Sequence, residues 1–502
     1  MRIDRHCPPL LASAAAGTAA GLIALLSSLD VLDLRGAFVA LTLTLLGYLG
    51  VEVARLCQRQ PERWLANPVV LASVMTFVLA HGVSNFLFFG NIDELLMVSL
   101  VPEVTASMVK LMYLVLVGAV AMWFGYWSTN AGLARHPDQC AAWHRRILPP
   151  TNTLHPLTLP LLIGIATGAR LLQIELGVFG YASSYERLIE MGSVTQYLSM
   201  AASLGSMALV LASLQLFRAP PSQRHRAWFA AVLILEFLTG VLSGFKSALV
   251  MPFLIVAICH YLSTGRWAVK WLLLAAMAIP LGYAVVEPFR NARNYDADFS
   301  GDSVAGIASA VVTSTADTSR AAVESAPVLL AFAARLNLSY IASFGIEYAD
   351  RPGGLPDTSP NFLTDLVLAP LHAWIPRAIW EGKPLGNIGL WYTYEVMERD
   401  VLSSSAMGPV AYLYFAGGAV AVFLGFAFIG AAHRVLLTLL RPTESSPGAV
   451  VFLAVLMPLI NVDSAFNSIL IMLWRELPLA LAIQFLLFRS SGSPLPRVAH
   501  PA

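Results

Sequence analysis

Apolar runs of about 20 residues recur along this chain, and nothing constrains its fold more. In hydrocarbon such a run satisfies its backbone polar groups only as a helix, because neither water nor a neighbouring strand is there to do so. About twelve runs are long enough to span a bilayer: 10–29, 36–57, 68–90, 108–127, 156–176, 197–217, 227–242, 248–262, 267–286, 407–429, 449–462 and 469–488. With 57% hydrophobic and 12% charged residues and a mean hydropathy of +0.69, a chain of 502 residues has too little polar surface to be soluble. The expected class is an all-α polytopic integral membrane protein. A net charge of +1 gives no reason to expect nucleic acid as a partner. The run 10–29 follows Arg2 and Arg5 as in a signal peptide, but it is long and no small-x-small site follows it, so it reads as a retained first helix.

The loops between runs set the orientation. With the N-terminus in the cytoplasm, inside loops carry Arg55, Arg59, Arg63, Arg135, Arg145, Arg146, Arg218, Arg224, Arg226, Arg266, Lys270, Arg434, Arg441, Arg489 and Arg497. Short outside loops carry only Arg35, Arg187 and Lys246. The positive-inside rule then puts both termini in the cytoplasm, and the outside loops of a Gram-negative inner-membrane protein would be periplasmic. Cys7, Cys57, Cys140 and Cys259 all fall near that side, away from an oxidising exterior, and none has metal-ligand spacing. Residues 1–288 hold nine spans, 289–406 a long periplasmic loop, 407–490 three spans, and 491–502 a cytoplasmic tail. In the loop, 291–306 reads as irregular, while 304–348 and 361–379 repeat apolar residues at the spacing of amphipathic helices.

Charges inside spans are rare and usually face a cavity or a partner, since each costs roughly 2.5–3.5 kcal/mol at the bilayer centre. Here they are Arg170 and Glu175 in the fifth span, Glu236 in the seventh, Glu287 and Arg290 at the end of the ninth, Asp463, Arg475 and Glu476. Internal ion pairs that lock helices explain such residues as well as a polar cavity does. The outward cations are Arg170, Arg187, Lys246, Arg290, Arg293, Arg377 and Lys383. Lys246 stands in SGFKS, a turn too tight for a solvated loop. Arg377 and Lys383 lie in IPRAIWEGKP with Trp380, where guanidinium and ammonium suit phosphate and indole suits a sugar face or a headgroup layer. Tyr181, Tyr185, Glu186 and Arg187 form an aromatic, charged loop; tyrosines stack on sugars and Glu186 has the chemistry of a general base. Asp296, Asp298 and Asp302 read as a solvated turn rather than a metal site, and there is no Walker A or HExxH motif.

Three stretches resemble the Wzy-type polymerases of O-antigen and exopolysaccharide repeat units. FLTGVLSGFKSALVMPFLIV is similar to their helix–tight turn–helix, which frequently has arginine where this chain has Lys246. GVFGYASSYERL resembles their aromatic periplasmic loop, and IPRAIWEGKPLGNIGLW with AYLYFAGG resembles their long-loop signature. The resemblance implies a GT-C-like fold and inverting transfer of a glycan from undecaprenyl pyrophosphate to another lipid-linked repeat unit. No metal or other cofactor is implied. It puts Arg377, Arg290 and Lys246 on the pyrophosphate, with Arg187 and Arg293 supporting, and Glu186 as base. Tyr181, Tyr185, Arg170, Trp380 and Lys383 would contact substrate. The implied partners are the lipid-linked donor and acceptor, membrane lipid and a chain-length regulator. Competing readings are an O-antigen ligase or another lipid-sugar glycosyltransferase on the same scaffold, and a polysaccharide flippase.

Overall fold

A computed structural model describes residues 9–60, 64, 67–88, 104–149, 154–183, 187, 190–218, 222–295, 305–309, 336–352, 355, 359–375, 379–380, 383, 388–399, 405–460 and 464–488. Among these residues no strand forms; a lone antiparallel bridge joins Leu154 to Phe488. The helices, in order, are α1 (Pro9–Ser28), α2 (Leu34–Arg59), α3 (Pro68–Ala72), α4 (Ala106–Leu133), α5 (Pro137–Ile147), α6 (Thr158–Glu175), α7 (Gly192–Arg218), α8 (Gln223–Ser243), α9 (Lys246–Thr264) and α10 (Val269–Tyr295). After them come α11 (Leu338–Ala349), α12 (Phe362–Val367), α13 (Ala369–Trp374), α14 (Ile388–Trp391), α15 (Gly408–Leu440), α16 (Ser446–Leu459) and α17 (Phe466–Leu487).

Nine of the described helical stretches are long and apolar enough to cross a membrane. Three further runs expected to span also form helices among the described residues. The fifth forms α6, 18 residues long, with Arg170, Gln173 and Glu175 in its second half. The ninth forms α10, which runs Val269–Tyr295 and is apolar over Val269–Gly282 among the described residues. The eleventh forms α16, 14 residues with Pro458 near its end. The stretch after the ninth run also begins differently from the expected loop, because α10 continues to Tyr295.

The chain forms two compact units, each assembled from segments distant in sequence. The first comprises residues 1–135, 313–435 and 455–475. Asp33 starts α2 by accepting a hydrogen bond from the Gly36 N–H at 2.8 Å, an N-cap. Glu52 and Arg55 lie buried on α2, bonded to each other at 2.7 Å, and the Trp127 indole donates to Glu52 at 2.8 Å. Both charges of that span are thus paired. The third span is not a continuous α-helix. It runs as α3, a π-turn over Ser73–Leu79 and a 3-10 turn over Val83–Phe88. A polar network occupies the break: the Asn85 amide donates to Thr42 Oγ1 (3.2 Å) and to the His81 carbonyl (2.6 Å), and Asn337 donates to the Asn85 side chain at 3.2 Å. Close helix contact rests on glycine: a Cβ at Gly125 or Gly430 would run into the backbone between α4 and α15.

The second unit comprises residues 136–312, 436–454 and 476–502. Helices α6 to α10 make its bundle. Where α6, α7 and α8 meet, Arg170 grips Glu236 through both carboxylate oxygens, at 2.6 and 3.0 Å. Arg170 also donates to the Ala202 carbonyl, and Ser206 donates to Glu236. Gly205 makes room for this pair, since a Cβ there would strike the Glu236 carboxylate.

Candidate functional site

In the second unit a junction forms where three loops or helix ends meet. After α6 the chain passes through Gly177 and Gly180, both at positive φ (67° and 57°). Gly180 lies against the Ser243 carbonyl so closely that no side chain fits. This brings Tyr181, in a single 3-10 turn, onto the end of α8. There α8 stops at Gly244, φ 68°, a left-handed C-cap that only glycine adopts without strain. A Cβ at Gly244 would sit 2.7 Å from Phe289 and 2.9 Å from the Tyr181 Cβ. The next residue but one, Lys246, opens α9. The tight SGFKS turn anticipated from the sequence is therefore a glycine cap packed on the aromatic loop.

Arg290, near the end of α10, closes the junction. Its Nε donates to the Gly244 carbonyl at 3.0 Å. Its guanidinium carbon lies 4.4 Å from the centre of the Tyr181 ring. Tyr181 in turn meets Phe245 edge-to-face at 6.4 Å, and Phe245 is 42% exposed. Below them Ile174, Phe179, Phe289 and Ile307 form a buried apolar floor. A guanidinium fixed through Nε and through one face is pre-oriented. Little further conformational entropy is lost when it binds an oxyanion.

The remaining candidates of this unit are placed as follows. Arg170 is bonded to Glu236, so its charge is matched inside the bundle. Arg187 is exposed, and its carbonyl accepts the Met191 N–H at 2.9 Å. Lys246 and Arg293 lie on α9 and α10 by backbone; their side chains, like all of Tyr185 and Glu186, are outside the described residues.

The first unit holds the IPRAIWEGKP stretch. Arg377 lies outside the described residues. Lys383 folds back to donate to the Ile375 carbonyl at 2.9 Å, just past the end of α13, where a cation is favourable. Trp380 packs on His372 with ring centres 5.0 Å apart. His372 is 4% exposed and its Nε2 has no hydrogen-bond partner among the described residues. Burial, reinforced by the Lys383 charge, lowers its pKa below the ordinary histidine value. Asp365, one helix earlier, is also buried, which pushes its carboxyl up.

One polar cluster of this unit escaped the sequence reading. Lys110 donates to Asp350 at 2.5 Å and Tyr414 donates to the same carboxylate at 2.7 Å. Beside it Arg351 pairs with Glu398 at 3.1 Å and lies over the Tyr348 ring. The available signal was Lys110 itself, a single cation two residues into an apolar run. Partial burial raises the Asp350 carboxyl, but the bonds from Lys110 and Tyr414 outweigh it, and its pKa lies below the usual 3.8. Among the described residues no three His, Cys, Asp or Glu side chains group as metal ligands.

Fold and site together define the class: a helical, multi-span membrane protein with a glycine-shaped aromatic–arginine junction at the ends of α6, α8 and α10. Within that class the chain belongs to the family described as Domain of unknown function (DUF8712), which matches residues 167–477. Comparison with curated proteins and with solved structures returned no match.

Proposed function

We propose that the chain is a membrane glycosyltransferase that polymerises lipid-pyrophosphate-linked repeat units, working on the outer face of a bacterial inner membrane. One observation carries the reading. Arg290, Tyr181 and the Gly244–Lys246 turn, three features singled out separately in the sequence, lie at one junction. A stacked arginine beside the Gly244–Lys246 turn would supply donors to a departing pyrophosphate. An exposed phenylalanine and a tyrosine edge next to it suit a sugar or lipid face. Such chemistry stabilises a leaving group by fixed charge.

Deleting the gene in the host bacterium and sizing its surface glycan tests the proposal. A polymerase leaves single repeat units transferred to the surface. Loss of all surface glycan overturns it in favour of a ligase or flippase. The flippase reading has one observation of its own, the break in the third span around the buried His81 and Asn85, since transporters interrupt helices within the membrane.

A further inference from the structure

One end of the second unit gathers side chains from segments far apart in sequence. Arg218, the last residue of α7, ties them. It donates to Ser263 Oγ at 3.3 Å, to Ser446 Oγ at 3.1 Å and to the Pro442 carbonyl at 2.6 Å. Helix α5 is tied to the same end: His144 Nδ1 bonds the Leu439 carbonyl at 2.7 Å, and Gln484 donates to the Ile147 carbonyl at 2.7 Å. Phe217 packs on Phe229 and on His260, Phe229 on Trp271, and Tyr261 on Trp267. The C-terminal ends of α5, α7 and α9 therefore share this end with the N-terminal ends of α8 and α10.

Six cations are exposed there: Arg145, Arg146, Arg224, Arg226, Arg266 and Lys270. Among the described residues none of the six forms an ion pair. The neighbouring acids in sequence are Asp138 on α5 and Glu444, and Glu444 already faces Arg441 at 3.7 Å; Glu236 of α8 is buried against Arg170. The depth of this rim follows from α10. Lys270 is exposed, and Leu273 and Met277, one and two turns on, are 58% and 67% exposed along the same side. The charges thus stand about one turn from an outward apolar belt, at the level of lipid phosphates. Helix α5 matches that level. Cys140 is buried and His144 is bonded inward, while Trp143, 55% exposed, lies beside the exposed Arg146.

We propose that this end of the second unit binds anionic phospholipid headgroups, with α5 lying in the headgroup layer. By the positive-inside rule the leaflet is the cytoplasmic one. The proposal is independent of the glycan reading. Each cation near an anionic surface is worth about fivefold in affinity.

The test titrates the full chain in neutral detergent with phosphatidylglycerol or phosphatidylcholine and follows thermal unfolding. Phosphatidylglycerol is expected to raise Tm, phosphatidylcholine to do so far less, and added salt to shrink the difference. A variant with Arg145→Gln, Arg146→Gln, Arg224→Gln and Arg226→Gln should need at least about tenfold more phosphatidylglycerol for the same shift. Lysine at the same four positions should restore the response. Equal shifts from the two lipids overturn the proposal, and so does an equal shift from inorganic phosphate. A glutamine variant that responds like the parent does the same. Should that variant fail to fold, the lipid comparison on the parent chain and its salt dependence still decide.

Discussion

Two arginines of the second unit use the same guanidinium differently. Arg170 is enclosed with Glu236, its side chain only 13% exposed and its partner's 7%. Removing one member leaves the other charged and buried, so Arg170→Ala should destabilise by about 3 kcal/mol, whereas replacing both by apolar residues should do much less. Unfolding in detergent of the two single variants and the double variant reads this directly; additive effects would contradict a coupled pair. Arg290 donates to a backbone carbonyl and stacks on an aromatic ring. Lysine there cannot both donate through Nε and stack, so Arg290→Lys should impair the proposed activity nearly as much as alanine while folding is kept. In the first unit Asp350 gives a pH signature. Its native pKa is depressed, so the stability it contributes is present above the unfolded value near 3.8 and is lost as pH falls through the lower native value. Asp350→Asn should therefore be less stable than the parent at neutral pH, and the gap should close as pH drops through about 3.8 and below. A gap that stays constant with pH would mean the Lys110 contact does not act through charge.

At the scale of elements, the turn between α8 and α9 is the feature best read from sequence. Gly-Phe-Lys between two apolar runs leaves no length for a loop, and glycine is the residue that ends a helix in the left-handed region. Gly244 and Gly265 separate the two demands on such a residue. Both have positive φ, but only Gly244 is crowded, by Phe289 and Tyr181, whereas no atom lies within 4 Å of a Cβ at Gly265. Gly265→Ala should cost about 1 kcal/mol of backbone strain, and Gly244→Ala clearly more, with the Tyr181–Arg290 stack disturbed. Equal losses at the two sites would remove the packing argument. The break in the third span was not legible. Its run of apolar residues reads as one helix, and the groups that fill the break come from Thr42, 43 residues from Asn85, and from Asn337, 252 away. Arg170 was legible as a costly charge with an ion pair as one explanation, but its partner was not, because Glu236 lies 66 residues on. Lys383 makes a local contact instead, reaching eight residues back to the Ile375 carbonyl.

At the scale of the whole molecule, periodicity and length were enough for the all-helical, multi-span class, and nine of the twelve expected spans are long apolar helical stretches among the described residues. They gave no hint that each compact unit is built from separate segments, because that depends on long-range packing. The family match at 167–477 takes in the junction of Tyr181, Gly244 and Arg290 as well as the IPRAIWEGKP stretch. The activity proposed for the junction is on lipid-pyrophosphate glycans. It is tested most directly by returning the parent gene, Arg290→Ala or Arg290→Lys to the deletion strain, with membrane levels matched, and sizing the surface glycan. The parent should restore long chains, and both variants should leave single repeat units. Long chains of normal length from Arg290→Ala would contradict the account.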